Sequence, residues 1–379
     1  MRTWIRHSWA FFKDEKAGGI LLILCTITSL LLANSFLDKE YGHLWHTQLF
    51  FKPVEFWIND GLMTVFFLQV GLEIEREIYA GELNNFKKSL LPVLAALGGM
   101  LVPAIIHFSF NQGTASQNGY GIPMATDIAF SLGLLSLLGK RVPLSLKIFL
   151  TALAIIDDLG AILVIALFYS SHFSLTYLSL AFLVFAGMII LNRLNVYSLW
   201  VYLVLGCVMW FCMHRSGIHA TISGVMLAFA IPFRTGDHSA PSTILQHAMH
   251  KPVTFVVLPL FALANTAITI PGTFLNDLAS ANSLGISLGL IIGKPVGIFL
   301  LSWIGIVAGW CALPSGISLK HIITIGMLAG IGFTMSIFIT LLAFSDAQLV
   351  DSSKIAVLTA SVLSGVLGLI GLALILKKK

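Results

Sequence analysis

Ile148-Phe-Leu-Thr-Ala-Leu-Ala-Ile-Ile-Asp-Asp-Leu-Gly-Ala-Ile-Leu-Val-Ile-Ala-Leu-Phe-Tyr169 is the stretch that decides the class of fold. It is apolar but for Thr151, Gly160 and two adjacent acids, Asp157 and Asp158, near its centre. An α-helix rising 1.5 Å per residue needs about 20 such residues to cross the hydrocarbon core of a bilayer. Stretches of this kind recur near 17–36, 54–73, 90–110 and 121–139 on one side of it, and near 174–192 and 196–213 on the other. Five more follow near 217–233, 252–270, 283–308, 322–344 and 354–376. Twelve transmembrane helices are expected, in an all-α membrane protein.

Composition agrees. The 379-residue chain is 57% hydrophobic and 10% charged, far below the roughly 25% charge of soluble domains. A single integral-membrane domain, 1–379, accounts for it, with helices over 17–376. The net charge of +5 sits in short connectors, where it sets topology rather than binding nucleic acid. With both ends cytoplasmic, only Lys39, Lys52, Arg215 and Lys354 fall outside, and the other connector lysines and arginines fall inside. That bias makes 1–16 a cytoplasmic N-terminal segment and 377–379 a cytoplasmic basic tail. No small-residue cleavage site follows the first apolar run, which reads as a retained helix. Cys25, Cys207, Cys212 and Cys311 form no C-x-x-C pair and read as small hydrophobes.

An ionised side chain at mid-bilayer costs about 2.5–3.5 kcal/mol on insertion scales. Besides Asp157 and Asp158, two more stand there. Asp127 lies in Gly121-Ile-Pro-Met-Ala-Thr-Asp-Ile-Ala-Phe130, and Lys294 in Gly293-Lys-Pro-Val-Gly297. The bland reading is a set of ion pairs that only fix packing. Buried pairs are weak stabilisers, however, since desolvation can exceed the Coulomb gain, and three acids facing one base leave an imbalance. Asp60, near the outer end of its span, can be solvated and decides nothing. Neighbours on a helix point about 100° apart. One of Asp157 and Asp158 can therefore line a wet cavity while the other turns toward a neighbouring helix, where Lys294 is the obvious counter-charge. Hard carboxylate oxygens suit a hard cation such as sodium. Two carboxylates sharing a small site also retain a proton more readily than one alone. Such a site holds protons or a cation, and competition between them is exchange.

The flanks carry helix breakers: Gly119, Gly121 and Pro123 before Thr126 and Asp127, and Gly326, Gly330 and Gly332 before Thr334 and Ser336. Discontinuous helices commonly build transporter ion sites near the midplane. Asp127 could neutralise positive half-helix ends there, and Lys294 negative ones.

These residues closely resemble the NhaA sodium/proton antiporters. The resemblance rests on Ala125-Thr-Asp-Ile-Ala-Phe130, Ala152-Leu-Ala-Ile-Ile-Asp-Asp-Leu-Gly-Ala161 and Ile292-Gly-Lys-Pro-Val-Gly-Ile298. Asn59-Asp-Gly-Leu-Met63, Val70-Gly-Leu-Glu73, His219-Ala-Thr221 and Gly330-Ile-Gly-Phe-Thr-Met-Ser-Ile-Phe338 add to it. The resemblance implies inverted-topology repeats, the third to fifth spans mirrored by the tenth to twelfth, with two discontinuous helices crossing near the midplane. It implies Asp158 as the central ligand of Na+ or Li+, Asp157 as a second contributor that interacts with Lys294, and Thr126 and Asp127 at the crossing. It also implies a transporter without cofactor in the bacterial inner membrane, in contact with lipid. Transport would be electrogenic, with more protons than sodium ions moved per cycle.

Members of that family switch on at alkaline pH through a cytoplasmic cluster. Here Glu73, Arg76 and Glu77 share one helix face, and His247 and His250 lie three residues apart ahead of the ninth span. The alternative is a solvated helix end with incidental histidines. Glu75 stands where a basic residue is often found, and Gln246 and Thr235 where acids are, so the cluster departs from the family pattern at three positions. His219 reads as a packing histidine. The loop from Phe36 to Trp57 is shorter than in members that dimerise through a β-hairpin there, yet a homodimer is still expected.

Two rivals belong to other classes. An intramembrane aspartyl protease would show a Gly-x-Gly-Asp pattern, which neither acid-bearing span has, and has no use for Lys294. A cation channel, or a sodium-coupled solute symporter of related architecture, shares the broken helices. A symporter would line its cavity with aromatic residues, whereas the surroundings of Asp127, Asp157 and Asp158 are small or aliphatic.

Overall fold

The structure, a computed structural model, describes residues 15–81, 84, 86–169, 174–237, 239–272 and 274–376. Most of the expected segment 1–16 and the whole tail 377–379 lie outside the described residues. Helix dominates, because backbone in lipid must satisfy its own hydrogen bonds. Eight helical stretches are long and apolar enough to cross a bilayer: Ser89–Asn111, Gln117–Leu137, Leu144–Phe168, Leu175–Arg193, Leu199–Ser216, Pro241–Asn265, Ala281–Val307 and Ala347–Ile375. Two pairs separated by short breaks, Ala17–Ala33 with Asp38–His46 and Leu319–Ala329 with Phe333–Ala343, raise the number to ten. The protein passes through the membrane several times.

The second and eighth expected spans fall outside that number. The stretch from Val54 is helical in three pieces, Val54–Phe56, a π-turn Trp57–Leu62, and Met63–Tyr79 with its charged end. At the eighth, helix is confined to the nine residues Ile222–Ala230. Apolar composition marks membrane depth, but it does not say that the backbone there is regular.

By chain contacts the molecule divides into two units. The first consists of Met1–Phe36, Asn85–Ala161 and Asn265–Lys379, the second of Leu37–Asn84 and Ile162–Ala264. In the first, the helix Phe86–Asn111 lies along Lys294–Val307. Their backbones nearly touch at Gly98 and Gly297, where a Cβ on either residue would stand 2.0 Å from the other's carbonyl oxygen. Small residues permit such approach, and close packing is what binds helices in a medium as apolar as they are. The preceding turn, Gly289–Gly293, is widened to a π-turn, with the Lys294 N–H bonded back to the Gly289 carbonyl. Pro295 explains the widening: it has no N–H to give the carbonyl four residues back, and its ring crowds that carbonyl.

In the second unit, the helices Met63–Tyr79, Leu175–Arg193, Leu199–Ser216 and Ile222–Ala230 share a core of Leu68, Leu72, Met188, Tyr202, Met209, Met213 and Leu227. The buried Tyr202 hydroxyl donates to the Val196 carbonyl at 2.9 Å. Gly224 lets its helix sit against the backbone of Met63–Tyr79, since a Cβ there would come within 2.3 Å of the Thr64 carbonyl oxygen. A two-residue antiparallel pairing, Gln48–Leu49 with Lys52–Pro53, makes a minimal hairpin in the Phe36–Trp57 loop. Its turn residue Phe50 takes φ 57.

Candidate ion-binding site

The first unit holds five of the sequence-selected residues, Thr126, Asp127, Asp157, Asp158 and Lys294, all of them buried. Chain between Gln117 and Met124 runs as 3-10 turns around Pro123, then extends through Ala125 and Asp127 before the helix Ile128–Leu137 begins. Helical hydrogen bonding also stops between Leu319–Ala329 and Phe333–Ala343, whose axes differ by 52°. The two irregular segments are tied together directly, the Asp127 N–H donating to the Ile331 carbonyl at 2.7 Å.

Asp127 caps both helices that start from them. Its Oδ1 accepts from the Phe130 N–H at 2.9 Å. Its Oδ2 accepts from the Thr334 N–H at 3.1 Å and the Thr334 hydroxyl at 2.5 Å. A carboxylate at two helix N-termini meets the positive ends of both dipoles and satisfies amides that would otherwise be orphaned. Ser336 adds a bond from its hydroxyl to the Ile122 carbonyl at 2.7 Å.

Beside this junction lies the charge pair. Lys294 and Asp157, 0% and 1% exposed, meet at 2.7 Å between Nζ and Oδ2. It is the fully buried ion pair among the described residues. Lys294 Nζ also donates to the Met124 carbonyl, which lies at the C-terminal end of the 3-10 turns, where carbonyls lack partners. The Thr126 hydroxyl reaches Asp157 Oδ2 at 2.6 Å and the Ala329 carbonyl at 2.9 Å. Its one proton can serve either acceptor. Asp157 Oδ1 is buried without a hydrogen-bond partner among the described residues. Asp158, next on the helix and 1% exposed, lies in electrostatic range of the Lys294 ammonium.

The arrangement can do two things. Asp157 has one oxygen held by lysine and threonine and a second still to be satisfied. Asp158 adds a second carboxylate beside it. A small hard cation or protons can answer that surplus of oxygen lone pairs. Among the described residues, no three His, Cys, Asp or Glu side chains come together as a metal site.

The residues chosen as pH-sensing sit in the second unit. Glu73 accepts from the Gln69 amide at 2.8 Å and lies in electrostatic range of His250, Arg76 and Glu77. Arg76 pairs with Glu77 at 3.0 Å. His247 and His250 are both exposed on the helix Pro241–Pro252, while Gln246 of that helix is buried. His219 bonds the Tyr169 carbonyl at 2.8 Å, a packing contact.

Side-chain reasoning missed the carbonyls of Met124, Ala329 and Ile331, as well as Thr334 as the partner of Asp127. Thr334 was visible beside its glycines, whereas a carbonyl carries no residue signature.

Residues 9–372 match the sequence profile of a family described as Na+/H+ antiporter 1. The Na(+)/H(+) antiporter NhaA of Flavobacterium psychrophilum is 55% identical over 367 residues, 97% of this chain and 96% of its own. That of Dechloromonas aromatica is 56% identical over 367 residues, 96% of this chain and 94% of its own. That of Vibrio cholerae serotype O1 is 48% identical over 375 residues, 97% of this chain and 98% of its own.

Proposed function

This chain belongs to the Na+/H+ antiporter 1 family, and from that membership we propose that sodium and protons compete for the buried cluster of Asp157, Asp158 and Lys294. The chain is a transporter that exchanges Na+ for H+. The observation that supports this cluster as the place of exchange is the Lys294–Asp157 pair beside Asp158, buried where two helices lose their regular backbone.

In this reading Asp158 is the central cation ligand, and Asp157 contributes its second oxygen. With the site empty of sodium, Lys294 and protons balance the two acids. A sodium ion entering brings one positive charge to the carboxylates, and protons leave in its place. More protons than sodium ions move per cycle, so exchange is electrogenic. Thr126 holds Asp157 in position, and Asp127 fixes the helix ends against which the site is built. Li+ follows the same path. The surroundings proposed for this chemistry are twelve spans with inverted repeats and two discontinuous helices crossing near the midplane. Both termini lie in the cytoplasm, the membrane is the bacterial inner membrane, and the assembly is a lipid-embedded homodimer. Glu73, Arg76, Glu77, His247 and His250 form the region that makes exchange depend on pH.

Everted vesicles from an antiporter-deficient strain test the site. After respiration has acidified the lumen, adding sodium releases protons, read with a pH-sensitive dye. The release is expected to disappear in Asp158→Asn, with that variant still present and folded in the membrane. Exchange in Asp158→Asn equal to the parent would remove Asp158 from the site.

A further inference from the structure

We propose that Glu75 is a regulatory proton-binding site, one whose loss of a proton releases the end of the helix Met63–Tyr79 from its buried packing and so raises the exchange rate. The proposal deepens, and rests on, the reading that exchange is pH-regulated at this helix end.

Three observations converge on Glu75. It lies past the end of the second expected span, yet only 4% of it is exposed. Its neighbours along the helix behave otherwise. Glu73 is held by Gln69, and Glu77 by Arg76. Glu75 Oε2, by contrast, is buried without a hydrogen-bond partner among the described residues, and an unpartnered buried oxygen is a costly place for a negative charge. The third is that no ion pair among the described residues includes Glu75. Of the elements packed on this helix within its unit, Ile222–Ala230 and the π-turn Val253–Val257 carry no ionisable side chain, and the π-turn Trp57–Leu62 carries only Asp60. Pro241–Pro252 carries His247, His250 and Lys251, and Glu73, Arg76 and Glu77 lie on the same helix. Phe233 stacks on Tyr79, but the neighbouring Arg234 turns to the Tyr197 hydroxyl and Asn195.

Burial alone acts on the carboxyl, pushing it up to about 8 from an ordinary value of 4.5. The sign follows. The buried form holds its proton across a range of pH in which a solvated Glu75 has already lost it. Over that range, from near 4.5 to about 8, each pH unit favours any form with Glu75 in water by up to tenfold over the buried one. Above about 8 the bias stops growing. Rising pH thus works against burial of this helix end, and its effect is complete near pH 8.

The test pairs transport with a structural readout on the full-length protein. Exchange is measured in everted vesicles at saturating sodium, which removes simple competition between sodium and protons at the paired acids. Deuterium uptake of the segment 63–79, corrected for intrinsic exchange, is followed over the same pH values in lipid nanodiscs. The parent is expected to gain about tenfold in rate from pH 6.5 to 8.5, with uptake rising in step. Glu75→Gln, an isostere that cannot ionise, should vary less than twofold and keep the low-pH uptake throughout. Glu75→Met should do the same, and serves if the amide variant folds poorly. A parent-like pH profile and uptake in both variants would overturn the proposal, as would uptake in the parent that does not respond to pH. Failure of the parent to exchange sodium at any pH would instead count against the transport site, and the uptake measurement would still decide Glu75.

Discussion

At the residue scale, the Lys294–Asp157 pair has lost its water on both sides. Removing one partner strands a charge, a loss of about 3–5 kcal/mol, whereas replacing both by apolar or neutral groups is often close to neutral. Lys294→Met and Asp157→Asn should therefore each lower the thermal midpoint of the detergent-solubilised protein. The double variant should recover most of that loss while remaining inactive in exchange. Additive losses in the double variant would mean that the two groups are stabilised by separate partners. Asp127 offers a finer case. Thr334→Val takes away the hydroxyl that bonds Asp127 Oδ2 and leaves the backbone N–H. A hydrogen bond to a charged group contributes about 1.5–3 kcal/mol, and a destabilisation of that order is expected from denaturation midpoints. Thr340→Val, whose hydroxyl bonds the Ser336 carbonyl and no charged group among the described residues, is the comparison and should cost less.

At the scale of elements, the sequence is legible where composition and position say the same thing. The stretch around Asp157 reads as a span because apolar residues fill it, and its acids stand out for the same reason. The eighth expected span shows where that logic stops. Its composition is mostly apolar, but only Ile222–Ala230 is helical. The hairpin at Gln48–Pro53 is too short for an alternating pattern to show. Glu75 stands where the resembled family often has a basic residue, but its burial depends on what packs over it, which no local pattern carries. Helix contacts are another matter of position. Gly98 and Gly187 are both glycines within apolar helices, yet a Cβ at Gly98 meets the Gly297 carbonyl at 2.0 Å and one at Gly187 meets nothing within 4 Å. Gly98→Ala should force Phe86–Asn111 away from Lys294–Val307, at a cost of about 1–3 kcal/mol or more, and displace Lys294 from Asp157. Gly187→Ala should be neutral or slightly stabilising, since alanine is the better helix former. Equal unfolding midpoints for the two variants would show that the helix contact yields without penalty.

For the whole molecule, charge balance decides what drives it. If two protons enter for each sodium ion that leaves, each cycle carries one net positive charge inward. An inside-negative potential then supplies about 2.3 kcal/mol per 100 mV for that charge, which is about a fifty-fold sodium gradient at balance, since 1.4 kcal/mol is tenfold. Proteoliposomes with no pH difference can be clamped by a potassium gradient and valinomycin, and the sodium gradient at which net flux stops can be read directly. A null point that moves about fifty-fold per 100 mV assigns one net charge to the cycle. A null point indifferent to potential would mean one proton per sodium, with one positive charge crossing in each direction. In Lys294→Ala, Asp157 has lost its ammonium partner, and one of the charges that can be exchanged for sodium is gone. That variant should exchange slowly, with a null point that shifts far less per 100 mV. If instead it retains the parent's full voltage dependence, the second proton is carried by the carboxylates alone, and Lys294 serves only to keep Asp157 ionised in place.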